Sequence, residues 1–113
     1  MANKVIPTEY FENKYKRLSK KFLSLNSELE ELEKVLLESP KQGEPLGANL
    51  YKIRLAIKDK GKGKSGGFRV ITYLIQELKN YYEIYLITIY DKSEESTFST
   101  SELKKLVKTI FDD

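Results

Sequence analysis

Two periodicities divide this chain. From Glu9 the apolar residues Phe11, Tyr15, Leu18, Phe22 and Leu25 recur at steps of three and four, so they share one helical face and leave Lys14, Lys16, Arg17, Lys20 and Lys21 on the wet side. Leu29, Leu32, Val35 and Leu36 form a second stripe that stops at Pro40, with Ser27 and Glu30 at capping-box spacing before it. Together they predict an antiparallel helical hairpin. At Leu50 the period changes to two: Tyr51, Ile53, Leu55 and Ile57 alternate with Lys52, Arg54 and Lys58, as in a half-buried strand. The runs Phe68 to Glu77 and Tyr82 to Tyr90 predict two more strands, with Asn80 in the turn between them. Ser99 and Glu102 make a capping box ahead of Leu103, Leu106, Val107, Ile110 and Phe111, a closing amphipathic helix. Lys4 to Ile6 fit a short edge strand stopped by Pro7, with Thr8 as a helix cap. Lys41 to Asn49, containing Gly43, Pro45 and Gly47, reads as a loop. The expected fold is α+β: one domain over residues 1–113, with an N-terminal helical hairpin on an antiparallel sheet of three to four strands and a closing C-terminal helix, all helices on one face.

Charge sharpens this picture. Lys52, Arg54, Lys58, Lys60, Lys62, Lys64 and Arg69 face one acid, Asp59, so this stretch carries +6 in a chain whose total is +3. Lys52 and Arg54 are two apart on a strand and project from one sheet face, which Arg69, opening the next strand, can also reach. Three cations on one face repel unless an anion sits there. Arg forks match phosphate oxygens, and a phosphodiester backbone is their natural complement. The alternative is that Glu77, Glu83 and Asp91 neutralise the cluster, but Glu77 and Glu83 fall near the far turn, poorly placed to do so. The aromatics Tyr51, Phe68, Tyr73, Tyr90 and Phe98 are interleaved with this charge, as in proteins that stack single-stranded RNA bases, although each also suits a core. The second helix is acidic, with Glu28, Glu30, Glu31, Glu33 and Glu38 against Lys34: a solvated face, or a surface for a basic partner.

Several chemistries drop out. The chain has no cysteine and no histidine, which removes disulfides and the usual zinc and iron sites, and Glu77, Glu83, Asp91 and Glu94 are scattered, so no metal or other cofactor is expected. Gly61, Gly63 and Gly66 satisfy the spacing of a dinucleotide-binding turn, but a strand follows where that site needs a helix. Gly63, Lys64 and Ser65 match the end of a P-loop, whose earlier glycine is Lys58 here. No kinase HRD or DFG element accompanies the glycine run. The run instead predicts a basic hairpin tip. The N-terminus lacks the apolar core of a signal peptide, and the longest apolar run, Ile84 to Tyr90, is too short to span a bilayer. A soluble, cytoplasmic protein is expected.

The segments LYKIRLA, GKGKSGGFRVITY and IYLITIYDKSEES, followed by a closing helix, resemble the RelE/HigB family of bacterial toxins from type II toxin-antitoxin systems, which are ribosome-dependent mRNA endonucleases. The resemblance covers roughly Leu50 to Glu95, and the helical hairpin fits in order and length. It implies a RelE-like fold, a cognate antitoxin, the ribosome and mRNA as partners, and no membrane or small-molecule cofactor. Lys52 and Arg54 match the family's paired basic positions, Arg69 the arginine opening the next strand, and Lys92 the basic residue after the third; these form the implied catalytic set. Lys58, Lys60, Lys62, Lys64, Tyr90 and Phe98 are the implied RNA and ribosome contacts. The expected reaction is attack by a 2'-hydroxyl on its own 3'-phosphate, with Arg54, Arg69 and Lys92 stabilising the phosphorane. Phe98 departs from the tyrosine many relatives carry there. Either Tyr90 or Lys52, made a better base by its cationic neighbours, would then manage the proton. Two rival functions remain: a ParE-like inhibitor of DNA gyrase, which would not need the clustered cations, and a non-catalytic RNA- or ribosome-binding domain.

Overall fold

A computed structural model describes residues 3–56, 67–92 and 98–112. The order is β1 (Lys4–Pro7), α1 (Glu9–Lys21), α2 (Leu25–Glu38), β2 (Glu44–Gly47), β3 (Leu50–Leu55), β4 (Phe68–Leu78), β5 (Tyr81–Asp91) and α3 (Thr100–Phe111). Five strands form one sheet in the order β1-β5-β4-β3-β2. β2, β3, β4 and β5 pair antiparallel, while β1 lies parallel to β5.

The α+β architecture agrees with the sequence expectation, and four details correct it. The sheet has five strands and is mixed, because β1 reaches β5 in the parallel sense. β2 occupies the segment expected to be a loop. Pro45 is tolerated there because β2 is an edge strand, and Ala48 and Asn49, both at positive φ (53° and 64°), close a two-residue hairpin into β3. The second helix starts at Leu25, so Ser27 lies inside it and its Oγ donates to Ser24 O at 3.1 Å in place of the expected capping box. Finally, the helices lie on both faces of the sheet. Phe11, Leu18, Leu25, Leu29, Leu32 and Leu36 of the hairpin pack on Ile53, Leu55, Phe68, Val70, Leu74, Ile84, Leu86 and Ile89, whereas Leu103 of α3 packs with Leu50, Ile71, Ile87 and Tyr90 on the other side. Strands β4 and β5 are buried on both faces, which is why their sequences run apolar without clean alternation.

One irregularity decides where the site forms. Ile71 pairs with Thr88 but Thr72 pairs with Leu86, so Ile87 is an extra residue in β5. Past this bulge the parity of β5 reverses: Leu86 and Ile89 both face the hairpin, and Ile87 and Tyr90 both face α3. Without the bulge Tyr90 would sit with Leu86 on the hairpin face.

Both outer helices are capped as expected. Thr8 Oγ1 accepts from Phe11 N at 3.1 Å. Ser99 Oγ accepts from Glu102 N at 3.1 Å, and the Glu102 carboxylate accepts from Ser99 N at 2.9 Å. These backbone and side-chain bonds to Ser99 hold the Glu102 carboxyl below the usual glutamate value. A carboxyl lowered on folding contributes stability fully present above the unfolded-state value and lost as pH falls through the folded one. Ser99→Ala, which removes the N-cap hydroxyl that accepts from Glu102 N, should cost about 1 kcal/mol in urea denaturation. Glu102→Gln, which removes the titrating carboxyl, should be less stable than the parent near neutral pH and approach it as the pH is lowered through the acidic range; a constant difference would detach the cap from the Glu102 charge.

Candidate functional site

The strand register brings the expected cations together. Arg54 of β3 lies directly opposite Arg69 of β4, and Arg69 lies directly opposite Tyr90 of β5. Cross-strand partners sit about 4.5 to 5.5 Å apart at Cα, so this row sets two arginines side by side. One step along is a second row, Glu44, Lys52, Ile71 and Thr88. Both rows face away from the helical hairpin, on the side where Leu103 of α3 packs with Ile71 and Tyr90.

The members of the rows differ in exposure. Arg54 is exposed, while Arg69, expected at the surface, is 2% exposed and Tyr90 1%. Arg69 Nη1 donates to Phe68 O at 3.3 Å. A buried guanidinium acts as a fixed charge, and the exposed Arg54 lies beside it on the same face. Lys92 follows β5; its side chain is exposed and its amide donates to Gly67 O at 3.4 Å, which ties it to the same end of the sheet. The described positions Lys52, Arg54, Arg69, Tyr90, Lys92 and Phe98 thus converge on one region. Lys58, Lys60, Lys62 and Lys64, expected at the hairpin tip, lie outside the described residues.

Of the interleaved aromatics, Phe98 meets Tyr90 edge to face, with centroids 5.2 Å apart and planes at 74°. Phe68 is fully buried against the hairpin, Tyr51 packs on that same face, and Tyr73 leans on Phe111 of α3. Glu77 and Glu83 belong to the far end of the sheet. The Glu77 carboxyl is raised chiefly by its hydrogen bond with Glu83, then by that neighbour's charge, and Tyr85 OH donates to Glu83 at 3.1 Å.

Two residues were not foreseen. Glu44 of β2 places a carboxylate oxygen 3.8 Å from Lys52 Nζ, and the two side chains are 58% and 17% exposed. Assigning its segment to a loop hid it, although strand pairing with Lys52 is what aims it at the site. Beside this pair a cavity of about 340 Å³ is lined by Leu32, Gln42, Gly43, Glu44, Lys52, Ile53 and Arg54. The other is Lys14 of α1, assigned to a wet helical face, whose Nζ lies 5.8 Å from the Phe98 ring centroid. Among the described residues no group of three or more acids is placed to hold a metal ion, and no helix is long and apolar enough to cross a membrane.

No family model matches this sequence. The structure is similar to that of the toxin RelE of E. coli, solved in the free state as a double arginine-to-alanine mutant, with a TM-score of 0.62 and 19% identity over 98% of this chain and 100% of that one. At that identity the likeness is one of fold, and the fold is RelE-like throughout.

The burial of Arg69 makes a stability prediction. Arg69→Ala removes a buried charge and its hydrogen bond and should cost about 1.5 to 3 kcal/mol in chemical denaturation, while Arg54→Ala should stay within about 0.5 kcal/mol. Equal effects would mean that the two arginines occupy equivalent environments.

Proposed function

We propose that this protein is the toxin of a toxin-antitoxin pair and acts as a ribosome-dependent endoribonuclease on mRNA in the A site, in the cytoplasm, under the control of a cognate antitoxin. The observation that carries this reading is the cross-strand placement of Arg54 against Arg69, with Lys52 on the same face. A sheet that pairs an exposed arginine with a buried one on the same face concentrates positive charge where a phosphodiester can meet the Arg54 fork, with Arg69 adding its charge from beneath the surface. The RelE-like fold supports the same reading, since the protein of that fold named above is a toxin.

The chemistry proceeds by internal attack. The 2'-oxygen loses its proton and forms a bond to the adjacent phosphorus, the bond from phosphorus to the 5'-oxygen breaks as that oxygen takes a proton from solvent, and the products are a 2',3'-cyclic phosphate and a 5'-hydroxyl. Arg54, Arg69 and Lys92 stabilise the charge that builds on the phosphorane oxygens, Arg69 from a fixed position within the sheet. Three groups on or beside this face bear on the 2'-hydroxyl proton. Tyr90 is 1% exposed, and Lys52 is held as the partner of a carboxylate. Glu44 is the accessible acceptor, and we assign it the proton, with Lys52 orienting it and facing the phosphate. Phe98 then needs no phenol: it packs beside the reacting nucleotide.

In a translation extract, Glu44→Gln should lower cleavage by about 100-fold or more while leaving ribosome co-sedimentation intact. Full activity in that variant would return the proton to Lys52 or Tyr90. A message with one 2'-deoxy nucleotide at the cleaved position should resist cutting there, and continued cutting would rule out internal attack.

A further inference from the structure

The sheet site has a neighbour on the helical layer. Lys14 Nζ lies 5.8 Å from the Tyr10 ring centroid and 5.8 Å from that of Phe98, within the distance at which a cation is drawn to a ring face. Tyr10 is one turn earlier on α1, so that contact is local. The Phe98 contact is not: it joins α1 to the residue immediately before the N-cap of α3, 84 positions along the chain. Phe98 in turn meets Tyr90 edge to face, and Tyr90 is the cross-strand partner of Arg69. A continuous set of contacts therefore runs from Lys14 through Phe98 and Tyr90 to the arginine row.

We propose that Lys14 is a positioning residue for the cleavage reaction, holding the Phe98 ring beside Tyr90 so that it is pre-set for the nucleotide entering the site. The inference rests on the ribonuclease reading above. The capping box fixes the Phe98 backbone through Ser99, but a phenyl ring at the edge of a cluster keeps rotamer freedom. A cation on one side and a tyrosine edge on another restrict it. A ring already in place costs the bound nucleotide less ordering entropy. Arginine in place of Lys14 keeps the cation and its stacking ability; glutamine keeps a polar chain without the charge.

The test uses the full chain with Lys14→Gln, Lys14→Arg, Phe98→Leu and the double variant Lys14→Gln/Phe98→Leu. Lys14→Gln should move the ring-proton resonances of Phe98 in the free protein and raise KM for mRNA cleavage about 3- to 10-fold with kcat little changed, and Lys14→Arg should restore both. In the Phe98→Leu background, Lys14→Gln should have no further effect on KM, because its action passes through the ring. An equal penalty in both backgrounds would show Lys14 acting on the substrate directly and would overturn the proposal. So would unmoved Phe98 resonances in Lys14→Gln, whether or not the chain cleaves RNA. Moved and rescued resonances in a chain that cleaves nothing would uphold the contact and refute the ribonuclease reading instead.

Discussion

The pairing of β4 with both of its neighbours is the constraint on which the rest depends. It fixes Arg54 against Arg69 and Arg69 against Tyr90, an arrangement the charges themselves oppose. Two like charges about 4 Å apart repel by about 1 kcal/mol in water and about 4 near a protein surface. Against this, Val70, Ile71, Leu86, Ile87 and Ile89 are fully buried around the same pairings, and each contributes about 1.5 to 3 kcal/mol. Apolar burial on both faces of β4 and β5 outweighs the repulsion, so the fold can hold an exposed and a buried arginine as cross-strand neighbours on one face.

The remaining parts follow from that frame. β2, the outer strand, delivers Glu44 to Lys52, and it can approach because Gly43, at φ 92°, has no side chain: a Cβ there would lie 2.4 Å from Lys52 O. The bulge at Ile87 turns Tyr90 onto the cation face, and the cap of α3 sets Phe98 against it. The acids Glu77 and Glu83 are spent on each other and on Tyr85 at the opposite end of the sheet. The cations Arg54, Arg69 and Lys92 thus gather where β3 ends and β4 begins, while Glu77 and Glu83 lie at the other end of the sheet, beside Lys79 and Lys4.

Much of this was legible in the sequence because the relevant signals are local. Period two placed Lys52 and Arg54 on one face, the Ser99 and Glu102 spacing gave the α3 cap, and the three- and four-residue steps gave α1. What was hidden depends on partners distant in sequence. Pro45 and two glycines read as a loop because nothing local shows that β3 is waiting to pair with them. The bulge leaves no mark in IYLITIY, where strict alternation would set Tyr90 with Ile84 and Leu86. The burial of Arg69 likewise follows from its central strand rather than from its neighbours in the chain. For the same reason α3 was placed with the other helices: its apolar stripe is clear, but which face of the sheet it covers is a matter of connection, not composition.

The proposed function requires that the register of β3, β4 and β5 build a surface for single-stranded RNA. The most direct measurement is an amide chemical-shift titration of the whole chain with a single-stranded RNA oligonucleotide made uncleavable by 2'-O-methylation. Shifts should concentrate at Lys52, Arg54, Arg69, Lys92 and Phe98, and the affinity should fall steeply as salt rises. Shifts confined to α2 or to the Glu77 and Glu83 end, or an affinity indifferent to salt, would contradict it.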